Sequence, residues 1–251
     1  MKVVLKWTLS PPDYLKGYEE KLASFFQASL EGGVITISED ADESADAREI
    51  QRQIEHEIKS FLMSVALTDK RRKFSLTRPG IDLESDGHNY YLFVEPGMYT
   101  ISGSGIDFIL TTKDGKIIDS KGELLAKQQE LFRLISEYGT DEVAVEILES
   151  FRNALEYDDN KLFYLYKIRE TLKNCFENGK GAITVLSLSR TDWNNFGKLS
   201  NDKSVRQGRH SPKPKSLPRD LTQEESEFVI NFGAEMIEQY LSYLQNTKKN
   251  V

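Results

Sequence analysis

Residues 222–244 read TQEESEFVINFGAEMIEQYLSYL, and their pattern decides the character of the C-terminal half. Thr222 and Glu225 have the spacing of a capping box, in which a hydroxyl and a carboxylate each satisfy a backbone amide at a helix start. Beyond the box, Phe228, Val229, Phe232, Met236, Ile237, Tyr240, Leu241 and Leu244 recur at helical spacing and form one continuous apolar face.

Working back from this helix, the same periodicity persists as far as Ser120. Leu124, Leu125, Leu131, Leu134 and Ile135 mark one helix, stopped near Gly139. Ala144, Ile147, Leu148, Phe151 and Leu155 mark a second. A third spans Lys161 to Phe176 and is ended by Asn178 and Gly179. A short fourth starts at Ser189, with Asp192 in a capping position, and carries Trp193, Phe196 and Leu199. Trp193 and Tyr166 sit at helical spacing and read as core rather than as base-stacking platforms.

The first 120 residues follow different rules. Val3, Leu5, Trp7 and Leu9 alternate with Lys6 and Thr8 as a strand that Pro11 and Pro12 end. Leu15, Tyr18, Leu22, Phe25 and Phe26 return at helical spacing, and Gly32 and Gly33 lead into a strand from Val34 to Ser38. The acidic run Glu39 to Asp46 reads as a solvated entry to a long helix striped by Ile50, Ile54, Ile58, Phe61, Leu62 and Val65. His56 lies off that stripe, on the surface. From Phe74 to Ile118, short alternating runs punctuated by glycine turns predict a meandering antiparallel sheet, with Asp114 and Gly115 as a hairpin turn. Gly103 and Gly105 precede a strand rather than a helix, so they form a turn and not a phosphate loop. The fold class is therefore α+β: a mixed domain with an antiparallel sheet over residues 1–120 and a helical bundle over 121–251.

Hydrophobic residues make up 39% and charged residues 29% of the 251, a balance that excludes a disordered chain. The single cysteine, Cys175, rules out an intrachain disulfide and a cysteine-based metal site, and its place beside Leu165, Leu172 and Phe176 predicts a buried, inert thiol. No signal-like segment and no run of about 18 apolar residues occurs. The expected location is the cytoplasm, with no membrane partner. Zinc-protease, serine-hydrolase, Walker and dinucleotide fingerprints are missing, and residues 39–46 lack the order of a calcium loop. No metal and no cofactor is assigned.

The net charge of −7 hides an asymmetry. Between Arg190 and Asp220, eight Lys/Arg face three Asp, a net of +5, which leaves −12 for the rest of the chain. Most of this excess lies in NDKSVRQGRHSPKPKSLPRD, residues 201–220, where three prolines and a glycine prevent a regular helix. A connection this long inside a bundle is usually functional or disordered. Arg206, Arg209 and His210 are its candidate catalytic residues. Cleavage of RNA by a ribose 2′-hydroxyl needs a base, an acid and cationic donors. Histidine, with a pKa of about 6.5, serves as acid or base near neutral pH, and arginine holds phosphate oxygens in a fixed fork. One histidine cannot perform both proton transfers at once, whereas a two-fold dimer would bring two copies of His210 to one cleft. Lys203, Gln207, Lys213, Lys215 and Arg219 are the accompanying binding candidates.

The Arg206–His210 segment, late in a helical domain, resembles the HEPN class. Active members of that class are metal-independent ribonucleases that work as dimers in toxin–antitoxin and anti-phage systems; others have lost activity and serve as binding modules. Residues 120–245 also resemble a family of bacterial proteins without an assigned activity, through NKLFYLYKIRETLKNCF, SRTDWNNFGKLSND, VRQGRH and LPRDLTQEE. The resemblance implies a component of a bacterial defence or stress system that binds RNA, a protein partner or a second copy of itself. Its alternative is an endoribonuclease using Arg206, Arg209 and His210. The active pattern spaces its Arg and His more widely than the three residues between Arg206 and His210. The residues themselves leave a structural reading open as well, in which Arg206, Arg209 and Arg219 pair with carboxylates such as Glu170, Asp192 or Asp220 and fasten the connector to the bundle. Adjacent Arg169 and Glu170 are a further source of ion pairs for it.

Overall fold

The computed structural model describes residues 2–10, 12, 14–15, 22–23, 26, 28–40, 47–70, 75–85, 88–92, 109–111, 117–201, 205–207 and 219–248. The chain divides into two compact units, Met1–Leu62 with Arg71–Gly105 and Met63–Lys70 with Ile106–Val251. A sheet dominates the first and helices the second, so the α+β class holds.

In the first unit, β1 (Lys2–Ser10), β2 (Ala28–Glu31), β3 (Val34–Asp40), β4 (Ser75–Ser85) and β5 (His88–Leu92) form one sheet in the order β2-β3-β1-β4-β5. Every neighbouring pair is antiparallel. The alternation in β1 works as its residues dictate. Leu5, Trp7 and Leu9 are buried, while Lys6 and Thr8 are exposed. Leu5 lies opposite Ile37 and Trp7 opposite Ile35, both also buried, so apolar cross-strand pairs fix the register.

The expected meander is corrected in two respects. β4 and β5 join the sheet through β1, a strand some seventy residues earlier in the chain. The hairpin of β6 (Ile109–Thr111) and β7 (Ile117–Asp119) is a separate two-stranded ribbon in the second unit. Local alternation reveals strands but not distant partners. β2 escapes a periodicity reading because it has only four residues, and the acidic run loses Glu39 and Asp40 to the end of β3. Pro79 and Gly80 stay inside β4. Proline offers no amide to the ladder, and the register slips between Lys6, opposite Gly80, and Thr8, opposite Thr77, leaving one extra β4 residue as a bulge. In the sequence expected to be helical from Leu15 to Phe26, the described residues are Leu15 in a turn, Leu22 and Ala23 in helix and Phe26 in a bend; Tyr18 and Phe25 lie outside the described residues.

Helix α1 (Ala47–Thr68) carries the expected stripe, with Ile54, Ile58, Phe61, Leu62 and Val65 buried and His56 half-buried. The division between the units falls within it, after Leu62. In the first unit the Phe61 ring meets Phe26 edge-on at 6.4 Å.

The second unit contains α2 (Ser120–Tyr138), α3 (Glu142–Glu156), a 3-10 turn (Asp158–Asn160), α4 (Lys161–Cys175), α5 (Gly179–Val185), α6 (Arg190–Ser200) and α7 (Gln223–Lys248). No described helix is long and apolar enough to cross a membrane. The capping box at the start of α7 is complete: Glu225 N–H donates to Thr222 Oγ1 at 3.2 Å and Thr222 N–H to Glu225 Oε2 at 2.9 Å. Ser189 caps α6 by accepting from the Asp192 amide at 3.2 Å. Trp193 and Tyr166 are buried, as core residues. Gly233 of α7 lies against α4 and α3; a Cβ there would sit 2.7 Å from Leu165 Cδ2 and 3.7 Å from the Phe151 ring.

Two expectations change at the end of α4. Asn178 does not close that helix. It caps α5 by accepting from the amides of Lys180 and Gly181, while Glu177, at φ 65°, makes the left-handed exit. Cys175 is exposed rather than buried. Leu172 and Phe176 take the inward positions, Phe176 against Tyr240 and Tyr243, and Cys175 falls one step off that stripe. Partial desolvation raises its thiol pKa, partly offset by a hydrogen bond with Tyr240, so its nucleophilicity stays low.

Asp141 ties the start of α3 to α7. Its Oδ1 accepts from the amides of Val143 and Ala144 at the start of α3 and from the buried Tyr240 hydroxyl of α7 at 2.9 Å. Burial and this acceptor push the Tyr240 pKa up, so its proton stays in place. Asp141→Ala should cost about 2–4 kcal/mol in denaturant unfolding, since it removes a cap and strands a buried hydroxyl. Tyr240→Phe, which leaves the cap intact, should cost about 1 kcal/mol.

The turn from β2 to β3 places Gly32 at φ 56° and Gly33 at φ 81°, the two positive angles a tight hairpin requires. A Cβ on Gly33 would lie 2.6 Å from Pro12 Cβ and 2.7 Å from Pro12 Cα. Gly33→Ala should therefore destabilise the fold by roughly 1–3 kcal/mol, with Gly32→Ala, which has open space around it, at the lower end. Denaturant melts of the two variants provide the comparison.

Candidate functional site

The connector leaves α6 at Asn201, whose side-chain amide donates to the Gly197 carbonyl at 2.6 Å. It returns to α7 through Asp220, Leu221 and Thr222. Near these two ends the strands of the connector meet. Val205 and Arg219 form an isolated parallel bridge, the Arg206 amide donates to the Arg219 carbonyl at 2.9 Å, and Val205 is fully buried.

Polar side chains reinforce this stem. Arg206 Nε donates to Asp220 Oδ1 at 2.7 Å, Nη2 lies 2.5 Å from the same oxygen, and Nη1 reaches Asp159 Oδ1 at 2.8 Å. Gln207 Nε2 also donates to Asp220 Oδ1, at 2.9 Å, while its Oε1 accepts from the Leu221 amide. Arg219 forks onto Glu225, with Nη1 at 2.6 Å and Nη2 at 2.8 Å, and Nη1 also donates to the Asp220 carbonyl. The electrostatics follow. Hydrogen bonding to Asp220 raises the Arg206 pKa, with the charges of Asp220 and Asp159 adding to it. The bonds from Arg206 and Gln207 hold Asp220 below the ordinary carboxylate range.

Three of the candidate residues, Arg206, Gln207 and Arg219, are thus brought together, and each is engaged by the chain's own polar groups. Lys203, Arg209, His210, Lys213 and Lys215 lie outside the described residues, as do the turns at Gly103, Gly105, Asp114 and Gly115. Of the carboxylates expected to pair with the connector, Asp220 does so. Glu170 instead holds Arg169 and Lys173, each at 3.0 Å, and Arg169 lies over the Trp193 ring at 4.6 Å, anchoring α6 to α4 instead of supplying the connector. The two other partners, Asp159 and Glu225, are not announced as such by the sequence. Glu225 is legible there only as a cap, and Asp159 is 47 residues distant from Arg206.

Beside the stem lies an open groove of about 700 Å³, lined by Asp192, Asn195 and Lys198 of α6, by Arg219, and by Glu225 and Phe228 of α7. Its charges alternate in sign, with Arg219 already held by Glu225. Lys198 is exposed. A second polar group gathers near the middle of α7: Lys127 pairs with Glu238 at 2.7 Å, burial and the charges of Asp192 and Glu238 raise the Glu235 pKa, and burial and Lys127 lower that of Lys70. Among the described residues, no group of three or more His, Cys, Asp or Glu is placed to hold a metal ion. Compared with family models, curated proteins and solved structures, the chain matches none of them.

Asp220 is the common acceptor of the stem, so its removal should free the connector. Asp220→Ala should be cut by trypsin after Arg209 and Lys215 roughly two- to fivefold faster than the parent, as expected for loss of an exposed ion-pair network. Since the Asp220 pKa is depressed in the folded chain, its contribution is fully present above the unfolded value of 3.8 and is lost as the pH falls through the lower folded value. A carboxyl NMR titration of Asp220 should accordingly show its midpoint below 3.8.

Proposed function

We propose that this chain serves a bacterial defence or stress system as a non-catalytic subunit whose HEPN-like C-terminal unit binds RNA through the cationic connector. The observation that carries the non-catalytic part is the commitment of Arg206. Its guanidinium is bonded to Asp220 and Asp159, so it offers no fork to a phosphate beside His210 without breaking both contacts. Gln207 and Arg219 are turned to the chain's own groups in the same way. Residues 208–218, by contrast, contain Arg209, His210, Lys213 and Lys215 and no carboxylate. The stem neutralises the arginines that flank this stretch, and the excess positive charge falls between them. The defence setting and the choice of RNA rest on the resemblance of VRQGRH and its neighbouring runs.

The test is binding of a fluorescein-labelled single-stranded RNA, followed by anisotropy and by gel analysis of the same mixture in EDTA. The RNA should be bound and remain intact. Three cations at the phosphates imply that log K falls against log salt with a slope of about −2, single strands giving about 0.7 per neutralised phosphate. Replacing Arg209, Lys213 and Lys215 by Glu should abolish binding while leaving the circular dichroism unchanged. Cleavage that disappears in His210→Ala would overturn the reading in favour of a metal-independent endoribonuclease acting across a dimer. Absence of any RNA binding would leave a scaffold subunit.

A further inference from the structure

The groove beside the stem holds three polar side chains that the fold itself does not use. Asp192, Asn195 and Lys198 line it from α6. Among the described residues, none of the three makes a side-chain hydrogen bond or ion pair. Asn195 and Lys198 are exposed and Asp192 is half-buried. Their charged neighbours are committed, since Arg219 forks onto Glu225 and each cancels the other. What remains is a carboxylate that only accepts, an amide that does both, and a cation that only donates.

From α7, Phe228 supplies an aromatic wall. It is half-buried, and its ring lies nearly parallel to that of Phe232, at 12° with centroids 6.1 Å apart. Phe232 is buried against Phe196 of α6, so the wall is fixed before any ligand arrives. The volume of about 700 Å³ is that of an ordinary small-molecule site and has room for one nucleotide.

These groups discriminate among flat ligands. A carboxylate takes two parallel N–H bonds from a ring edge that offers adjacent donors. Of the RNA bases, guanine has such an edge, with N1–H beside the N2 amino group. Adenine and cytosine set their amino group beside an acceptor nitrogen, and uracil sets its one N–H between two carbonyls. Each of those edges would turn a lone pair toward Asp192. Lys198 follows Asp192 by six residues, about 9 Å along the helix axis, which suits a phosphate carried by the same nucleotide.

We infer that this groove is a binding site for a guanine nucleotide, with Asp192 at the donor edge of the base, Phe228 against the ring and Lys198 at the phosphate. The nucleotide is either free or one residue of an RNA strand. The site does not depend on phosphate contacts made by the connector.

Calorimetric titration of the full chain with GMP, AMP and guanosine tests the inference. GMP should bind roughly ten- to a hundredfold more tightly than AMP, the discrimination expected of a bidentate pair. Asp192→Asn should remove that preference. Phe228→Leu should weaken GMP about fivefold or more, through lost stacking. Lys198→Gln should weaken GMP about two- to fivefold and leave guanosine unchanged. Thermal melting verifies folding; if Phe228→Leu is not folded, the two surface variants carry the test. Equal affinity for GMP and AMP, or a preference that survives Asp192→Asn, would overturn the proposal. A second arm compares single-stranded RNAs that differ by one guanosine or adenosine. A guanosine preference there, lost in Asp192→Asn, identifies RNA as the source of the nucleotide. RNA bound without that preference, and with no binding of GMP, removes the groove and leaves the connector reading standing. GMP bound without RNA does the reverse.

Discussion

One carboxylate oxygen, Asp220 Oδ1, receives both guanidinium edges of Arg206 and the side-chain amide of Gln207. All three groups are at the surface, where water weakens each attraction, so charge by itself does not hold the connector shut. The greater stabilisation comes from underneath. Val205 is fully buried, which stabilises by about 1.5 kcal/mol or more, and the backbone bridge to Arg219 places Arg206 and Gln207 where a single oxygen can serve them. The ion pairs then add direction rather than strength. They determine which way each guanidinium points, Arg206 toward Asp220 and Asp159 and Arg219 toward Glu225.

The helical unit depends on a similar sharing of acceptors. Asp141 begins α3 and at the same time receives the hydroxyl of Tyr240, so a local capping preference and a contact 99 residues apart are satisfied by one side chain. Gly233 lets α7 approach Leu165 and Phe151 more closely than any other residue would allow. Helix α6 is secured to α4 by the stack of Arg169 on Trp193. Each of these contacts joins elements that short-range pattern alone defines.

This is why the helices are legible in the sequence and much of the remainder is not. The capping box of Thr222 and Glu225, the Ser189 cap and the stripe along α1 are encoded within a few residues, and all three are found. The place of β1 at the centre of the sheet is encoded in pairings with Ile37 and Ile81, far along the chain, which alternation cannot reveal. Cys175 illustrates a finer limit: a helical position one step off an apolar stripe differs by about 100° in direction, and that step separates the half-buried Phe176, packed on Tyr240 and Tyr243, from an exposed thiol. At the candidate site the basic composition is evident, and so is Asp220 as a partner. That Asp159 takes the other face of Arg206 is not, because nothing near either residue specifies the other.

The bridge between Val205 and Arg219 has a consequence for how this segment can change over evolutionary time. With Val205 and Arg219 joined, the spacing of the two ends is fixed whatever the number of residues between them, and that number ceases to be a constraint on the helices. Closing a loop twice as long costs only about 0.6 kcal/mol more. Insertions, deletions and exchanges between residues 208 and 218 should therefore cost the helical unit little stability.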